Sequence, residues 1–189
     1  MDFNAFKQIV IEKCAQLGIE EYELYYQSAQ STSVSAFQHE INQFTGSLEG
    51  GVCFRCIVGG KMGYASTEAL TAEQAALIVE KAANNAAVLE SEEQVFLCEG
   101  GQVYAKLETE GYEMPSTEEI VSKVLATQEK LYGADPAVID GCQTNGIIEQ
   151  SEMAIYNSKG LDLQYQNNAS GLVIVGVVSD GKEMSNDYQ

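Results

Sequence analysis

The stretch Val52-Cys53-Phe54-Arg55-Cys56-Ile57-Val58, followed at once by Gly59-Gly60, limits the folds open to this chain more than any other segment. It is rich in β-branched and aromatic residues and apolar on both faces apart from Arg55, a pattern that suits a strand in the middle of a sheet. Two adjacent glycines supply the positive φ values of a two-residue hairpin turn, so Lys61 to Ala65 is expected to return antiparallel. A charge at the centre of such a strand requires a partner or a solvent-lined face. Arg55 is therefore expected on the open face of the sheet, paired with a glutamate. The functional alternative is contact with a partner domain or a peptide carboxylate.

The rest of the chain alternates between helical and extended patterns. Phe3, Phe6, Val10, Cys14 and Leu17 recur at spacings of three and four, a single stripe along a helix that Gly18 ends. Tyr22, Leu24 and Tyr26 begin a long strand that reaches Phe37. Ile41 to Ser47 reads as another strand, with Gly50-Gly51 breaking the chain before Val52. Thr71-Ala72-Glu73-Gln74 and Ser116-Thr117-Glu118-Glu119 both match a capping box. The first opens an Ala-rich helix to about Leu89, whose small face (Ala75, Ala76, Val79, Ala82, Ala83, Ala86) allows close approach to a sheet. The second opens a helix to about Tyr132 with Ile120, Val124 and Leu131 on one side.

Residues 90–115 read as a connector containing one short strand at most. Beyond Pro136, strands are expected over Val138–Gln143, Ile147–Tyr156, Leu161–Gln166 and Leu172–Val178. Turns at Asn145-Gly146 and Asn157–Gly160 separate them, and Asp180-Gly181 opens a final hairpin. The fold class is α+β: mostly antiparallel, curved sheet or sheets with helices on one side. The order of elements repeats, with Gly51-Val52-Cys53-Phe54 to Gly60-Lys61 aligning with Gly171-Leu172-Val173-Ile174 to Gly181-Lys182, which suggests repeats over 1–90 and 115–189. The second repeat has no counterpart of the Ala-rich helix, and the chain stops within a return strand. The expectation is that 1–189 is the N-terminal domain of a longer protein whose C-terminal half is absent.

At 189 residues the chain can bury a substantial core without metal or disulfide support. Its 28 acidic and 10 basic residues give a formal net charge of −18. Nucleic-acid binding depends on Lys and Arg displacing phosphate counterions, whereas the field here would repel a duplex, so direct binding to DNA is not expected. The same field keeps a surface soluble and favours basic partners. No apolar run approaches the roughly 20 residues that cross a bilayer. The N-terminus lacks the basic start and apolar block of a secretory signal. Five cysteines, an odd number placed mostly within apolar stretches, suit buried thiols in a reducing compartment. These features together predict a cytoplasmic protein.

Complete catalytic or metal sites are not found. His39-Glu40 resembles the start of a zinc-peptidase motif, but four residues further on stands Gln43, and no second histidine exists. Cys53 and Cys56 have C-x-x-C spacing, yet residues three apart in a strand point to opposite faces and cannot share a metal or a disulfide. Buried structural cysteines are expected there. A redox or metal role for the pair requires them to be adjacent. A single histidine and no G-x-S-x-G elbow leave no serine triad, and none of the Gly pairs is followed by Gly-Lys-Ser/Thr as in a phosphate loop.

The segment Gly51 to Leu70, with its central Arg55 followed by Gly60-Lys61-Met62-Gly63-Tyr64-Ala65-Ser66-Thr67 and an Ala-rich helix, resembles the N-terminal region of the TldD/PmbA family. Glu23-Leu24-Tyr25-Tyr26, Ser33-Val34-Ser35 and Tyr156-Asn157-Ser158-Lys159-Gly160-Leu161 extend the resemblance over nearly the whole chain. The details are more similar to the PmbA (TldE) branch. The resemblance implies a subunit of a cytoplasmic metallopeptidase, in which TldD-like and PmbA-like chains pair around an enclosed cavity and cleave unfolded peptides. It also implies the label of modulator of DNA gyrase, through antitoxin or peptide processing.

The family's zinc motif, His-Glu-x-x-x-His, belongs to the TldD branch and lies in the C-terminal half. No catalytic or metal residue is therefore carried over to this chain, and zinc is expected only in a TldD-type partner. The implied role is a non-catalytic N-terminal domain that supports assembly and the wall of the peptide chamber, in a homo- or hetero-oligomer with a TldD/PmbA-type subunit. Arg55, Lys61, Ser66 and Thr67 are the candidate contacts to partner or peptide. Val34 to Phe37 and the end after Lys182 are candidate open strands for sheet addition. A stand-alone acidic module that binds peptides or proteins is the alternative.

Overall fold

The computed structural model describes residues 1–105 and 113–189. In chain order the elements are α1 (Phe3–Leu17), β1 (Glu21–Phe37), β2 (Glu40–Val58), β3 (Lys61–Thr67), α2 (Ala72–Val88), α3 (Thr117–Tyr132), β4 (Gln143–Asn157), β5 (Asp162–Ser179) and β6 (Met184–Tyr188). The six strands form one antiparallel sheet in the order β3-β2-β1-β4-β5-β6, with three helices packed against it among the described residues, an α+β fold. Helix α1 leads into β1–β2–β3 and α3 into β4–β5–β6, so the order reads outward from the β1/β4 pair in both directions. Within the expected connector, 90–115, residues 106–112 lie outside the described residues, and the described parts contain neither helix nor strand. No described helix is long and apolar enough to cross a membrane.

Internal contacts divide the chain into two compact units that do not follow the sequence halves. Unit 1 comprises Met1–Ser28, Glu49–Leu107 and Glu152–Gln166; unit 2 comprises Ala29–Leu48, Glu108–Ser151 and Asn167–Gln189.

Unit 1 is built on the stripe of α1. Asp2 caps its start by accepting from the Ala5 amide at 2.8 Å. Gly18, in the left-handed conformation at φ 68°, ends it with its amide on Ala15 O while the Ile19 amide returns to Cys14 O. Phe3, Phe6, Val10 and Cys14 pack with Tyr22 and Leu24 of β1, with Val52, Phe54 and Cys56 of β2, and with Ala75, Ile78, Val79 and Ala82 of α2. Phe3 stacks on Tyr26 at a centroid distance of 4.7 Å. The β2–β3 hairpin turns through Gly59 and Gly60 at φ 59° and 75°, as the sequence requires, and pairs Val52–Val58 with Lys61–Thr67. The capping box at the start of α2 is only half formed. Thr71 accepts from the Gln74 amide at 3.2 Å, but the Gln74 side chain meets the Thr67 hydroxyl instead of reaching back.

Unit 2 is centred on α3, which packs Ile120 and Val124 against Val34 and Ala36 of β1. Its capping box is complete: the Ser116 hydroxyl accepts from the Glu119 amide at 3.2 Å and the Ser116 amide donates to the Glu119 carboxylate at 2.7 Å. Ser116→Ala is expected to lower stability by about 1 kcal/mol in a urea titration, the usual effect of losing such a cap. One turn beyond Val124, the fully buried Gln128 holds the β1–β2 turn. Its carbonyl accepts from the His39 amide at 2.9 Å and its amide donates to Ala36 O at 2.7 Å. That turn places Gln38 and His39 at φ 51° and 66°, positions usually given to Asn or Gly, and Gln128 is the side chain that fixes them.

Several expected breaks are continuous strands. Gly50-Gly51 does not interrupt the chain, because β2 runs unbroken from Glu40 to Val58. A Cβ at Gly50 would lie 2.6 Å from Gln27 O and one at Gly51 2.6 Å from Thr67 O, so these glycines permit close backbone approach rather than a turn. Asn145-Gly146 likewise lies inside β4, and the two strands expected over Leu161–Gln166 and Leu172–Val178 are one, β5. Of the strand expected over Val138–Gln143, residue 138 forms only an isolated bridge to Val178. Val34 to Phe37 is not an open strand: β1 lies between β2 and β4, and Val34 and Ala36 are fully buried.

Candidate functional site

Along β2 in unit 1, Val52, Phe54 and Cys56 enter the core while Cys53, Arg55 and Ile57 point to the other face of the sheet. Arg55 is about one-third exposed there, and its Nη2 lies 2.6 Å from Oε1 of Glu23, a carboxylate with only 5% of its side chain accessible. Oε2 of Glu23 accepts from Asn157 Nδ2 at 3.1 Å, and the same nitrogen donates to Cys98 O at 2.8 Å. Asn157 Oδ1 accepts the amides of Lys159 and Leu161, both at 3.0 Å, so the whole hydrogen-bonding capacity of this side chain is used. Arg55 Nη1 lies 4.0 Å from Met62 Sδ, and its buried Nε has no hydrogen-bond partner among the described residues.

Both oxygens of Glu23 are thus committed to fixed donors, which gives a buried ion pair rather than a free acid or base. The glutamate partner expected for Arg55 is present. Glu23 and Asn157 themselves carried no sequence signal. Glu23 stands in an acidic run with Glu20 and Glu21, and only the alignment of β1 beside β2 singles it out.

The other candidate contacts are dispersed. Lys61, at the hairpin, donates from Nζ to Leu89 O after α2. The Thr67 hydroxyl accepts from the Ala69 amide at 3.1 Å and so shapes the turn into α2. Ser66 is exposed opposite Cys53. Ser66 and Thr67 line an open depression of about 390 Å³ with Tyr25, Gly51, Val52, Cys53 and Glu68, which neither Arg55 nor Lys61 borders.

The cysteines separate into two classes. Cys14, Cys56 and Cys142 are buried, whereas Cys53 and Cys98 are exposed and all five are free. Burial pushes the Cys14 thiol up to about 12, with neighbouring Cys56 adding to it, and burial pushes Cys56 up to about 11. The expectation of two buried cysteines at 53 and 56 therefore fails at Cys53, because alternate residues of β2 face outward. Their opposite orientation rules out a shared metal. Maleimide labelling of the native protein at pH 8 is expected to modify Cys53 and Cys98 and to spare Cys14 and Cys56, as read by peptide mass spectrometry. Rapid modification of Cys14 would show unit 1 opening on the labelling timescale.

His39 also fits no zinc site. Its Nδ1 lies 3.2 Å from Glu129 Oε2 and its ring sits 4.4 Å from that of Tyr132, a surface arrangement in unit 2. Among the described residues no group of three or more His, Cys, Asp or Glu side chains is placed to hold a metal ion.

The fold and the site define an acidic α+β chain with a buried Arg–Glu–Asn network. The profile of PmbA/TldA metallopeptidase domain 1 matches residues 22–86, and that of the PmbA/TldA metallopeptidase central domain matches residues 111–189. The chain belongs to the TldD/PmbA family.

Solved structures share the fold. A candidate modulator of a DNA gyrase from Thermotoga maritima aligns with TM-score 0.81 and 20% identity, over 100% of this chain and 43% of that one. TldE from Thermococcus kodakarensis aligns with TM-score 0.79 and 20% identity, over 95% and 42%. A candidate modulator of DNA gyrase from Bacteroides thetaiotaomicron gives 0.79 and 14%, over 98% and 43%. This chain thus spans at most 43% of the length of these three proteins. No curated protein matches its sequence.

Proposed function

We propose that this chain supplies the first and central domains of a PmbA-like subunit of a TldD/PmbA-type metallopeptidase, without catalytic residues of its own. Its task is to support assembly and to form part of the wall of a peptide-processing chamber in the cytoplasm. The observation that carries this reading is the succession of the two family domains along one chain, over 22–86 and 111–189. The likeness of fold to TldE and the Glu23-Leu24-Tyr25-Tyr26 stretch support the PmbA branch. The donor chemistry agrees: the single histidine is engaged with Glu129 and Tyr132, and the two cysteines of the C-x-x-C stretch face apart. Zinc then belongs to a TldD-type partner, and unfolded peptides are the substrate class.

The test is reconstitution with a TldD-type subunit bearing His-Glu-x-x-x-His. Co-elution of the two chains on size exclusion is expected, with chelator-sensitive cleavage of an unfolded peptide confined to fractions that contain the TldD-type chain. Chelator-sensitive cleavage by the purified 189-residue chain alone, or stoichiometric zinc in it, would overturn the non-catalytic assignment.

A further inference from the structure

We infer that the free edge of β2 in unit 2, Glu40–Leu48, is a docking site for an extended basic peptide, which adds to the sheet as a further strand. In the sheet order, β2 has β1 on one side and β3 on the other. Strand β3 covers only Val52–Val58, so along Glu40–Leu48 no described strand lies on that side. The backbone amides and carbonyls that face outward there are unpaired by any described strand, which is the template for sheet addition.

Natural edges are usually blunted by lysine, proline or short length. The two terminal strands of the sheet are short: β3 has seven residues and begins at Lys61, and β6 has five. The segment Glu40-Ile41-Asn42-Gln43-Phe44-Thr45-Gly46-Ser47-Leu48 has neither lysine nor proline. It also leaves Phe44 and Leu48 exposed at 55% and 77%, apolar surface that an added strand would cover.

Charge selects the occupant. Unit 2 holds three lysines against thirteen Asp and Glu residues, and the edge itself begins at Glu40 with Glu49 just past its end. A second copy of a chain with net charge −18 is repelled from such an edge, whereas an extended segment carrying lysine or arginine is drawn to it. Main-chain hydrogen bonds supply affinity with little dependence on sequence, and alternate apolar residues of the peptide meet Phe44 and Leu48. The inference rests on the reading that this chain meets unfolded peptides, and it adds where they dock and which charge they carry.

The probe is a fluorescent peptide of alternating lysine and valine, followed by anisotropy with the full 189-residue chain. It is expected to bind at least tenfold more tightly than the glutamate–valine counterpart and to weaken about tenfold between 50 and 300 mM NaCl. N-methylation of the alternate residues on one edge of the peptide should abolish binding while methylation on the other leaves it unchanged. Equal binding of the two methylated peptides would show charge attraction without strand addition and overturn the proposal.

Phe44→Lys/Leu48→Lys, at exposed positions, and Thr45→Pro should each reduce binding at least tenfold. Asn186→Pro in β6 should not, and loss of binding there alone would move the site and refute this one. Circular dichroism checks folding, and the lysine pair serves if the proline variant unfolds. Failure of the subunit reading is distinguishable, because reconstitution with the TldD-type chain is measured separately and without the probe.

Discussion

Gly63→Ala is expected to destabilise unit 1 by about 3 kcal/mol, the upper end of the usual effect of overpacking. Gly63 lies in β3 beneath α2, and a Cβ built there falls 1.9 Å from Ala82 O and 2.6 Å from Ala86 N. Both are backbone atoms of a helix, so no rotamer change relieves the clash, and α2 must move off the strand. That displacement opens the contacts of Ala75, Ile78, Val79 and Ala82, which are all within the core of unit 1. Gly146→Ala is the control. Its Cβ would meet Val124 and Ile120 side-chain atoms at 2.6 and 2.8 Å, side chains rather than helix backbone, so local repacking relieves part of the clash and a smaller loss, about 1–2 kcal/mol, is expected. Urea midpoints measure both, and equal losses would show α2 free to shift.

The same glycine illustrates what could be read from the sequence. The small face of Ala75, Val79, Ala82 and Ala86 predicts close approach of α2 to a sheet, but the depth of that approach depends on which residue of β3 lies underneath. Local chemistry announced the elements whose causes are local. Gly18 ends α1, Ser116 and Glu119 cap α3, and Gly59-Gly60 turn the hairpin, because each needs only a particular φ or a side chain a few residues away. Gly50-Gly51 and Asn145-Gly146 look the same in sequence and do the opposite. They stay extended inside β2 and β4, where the neighbouring strand or helix decides the matter. The candidate site divides in the same way. Arg55 stands out as a charge in an apolar strand, whereas Glu23 and Asn157 have no local mark and become its surroundings only through the order of strands. The unguarded edge of β2 follows from the lengths of β2 and β3, which the apparent break at Gly50-Gly51 conceals.

Arg55→Ala is expected to cost about 3 kcal/mol, because it strands the Glu23 carboxylate, 5% accessible, with Asn157 as its remaining side-chain donor. Glu23→Ala should cost less, about 1 kcal/mol, since Arg55 is one-third exposed and can turn its charge to water. Replacing both with apolar residues, Arg55→Met with Glu23→Leu, is expected to recover most of the loss, as a well-packed apolar pair avoids the desolvation of two charges. The pattern of a large, a small and a nearly neutral change in urea midpoint is the signature of a buried pair: independent sites would lose the sum of the two single effects, about 4 kcal/mol, and the shortfall from that sum is the coupling. Raising NaCl to 1 M should leave the coupling largely intact, because a pair set into the protein is screened much less than a surface one. If Arg55→Ala instead leaves stability within about 0.5 kcal/mol of the parent and weakens association with a TldD-type subunit, the guanidinium serves a partner.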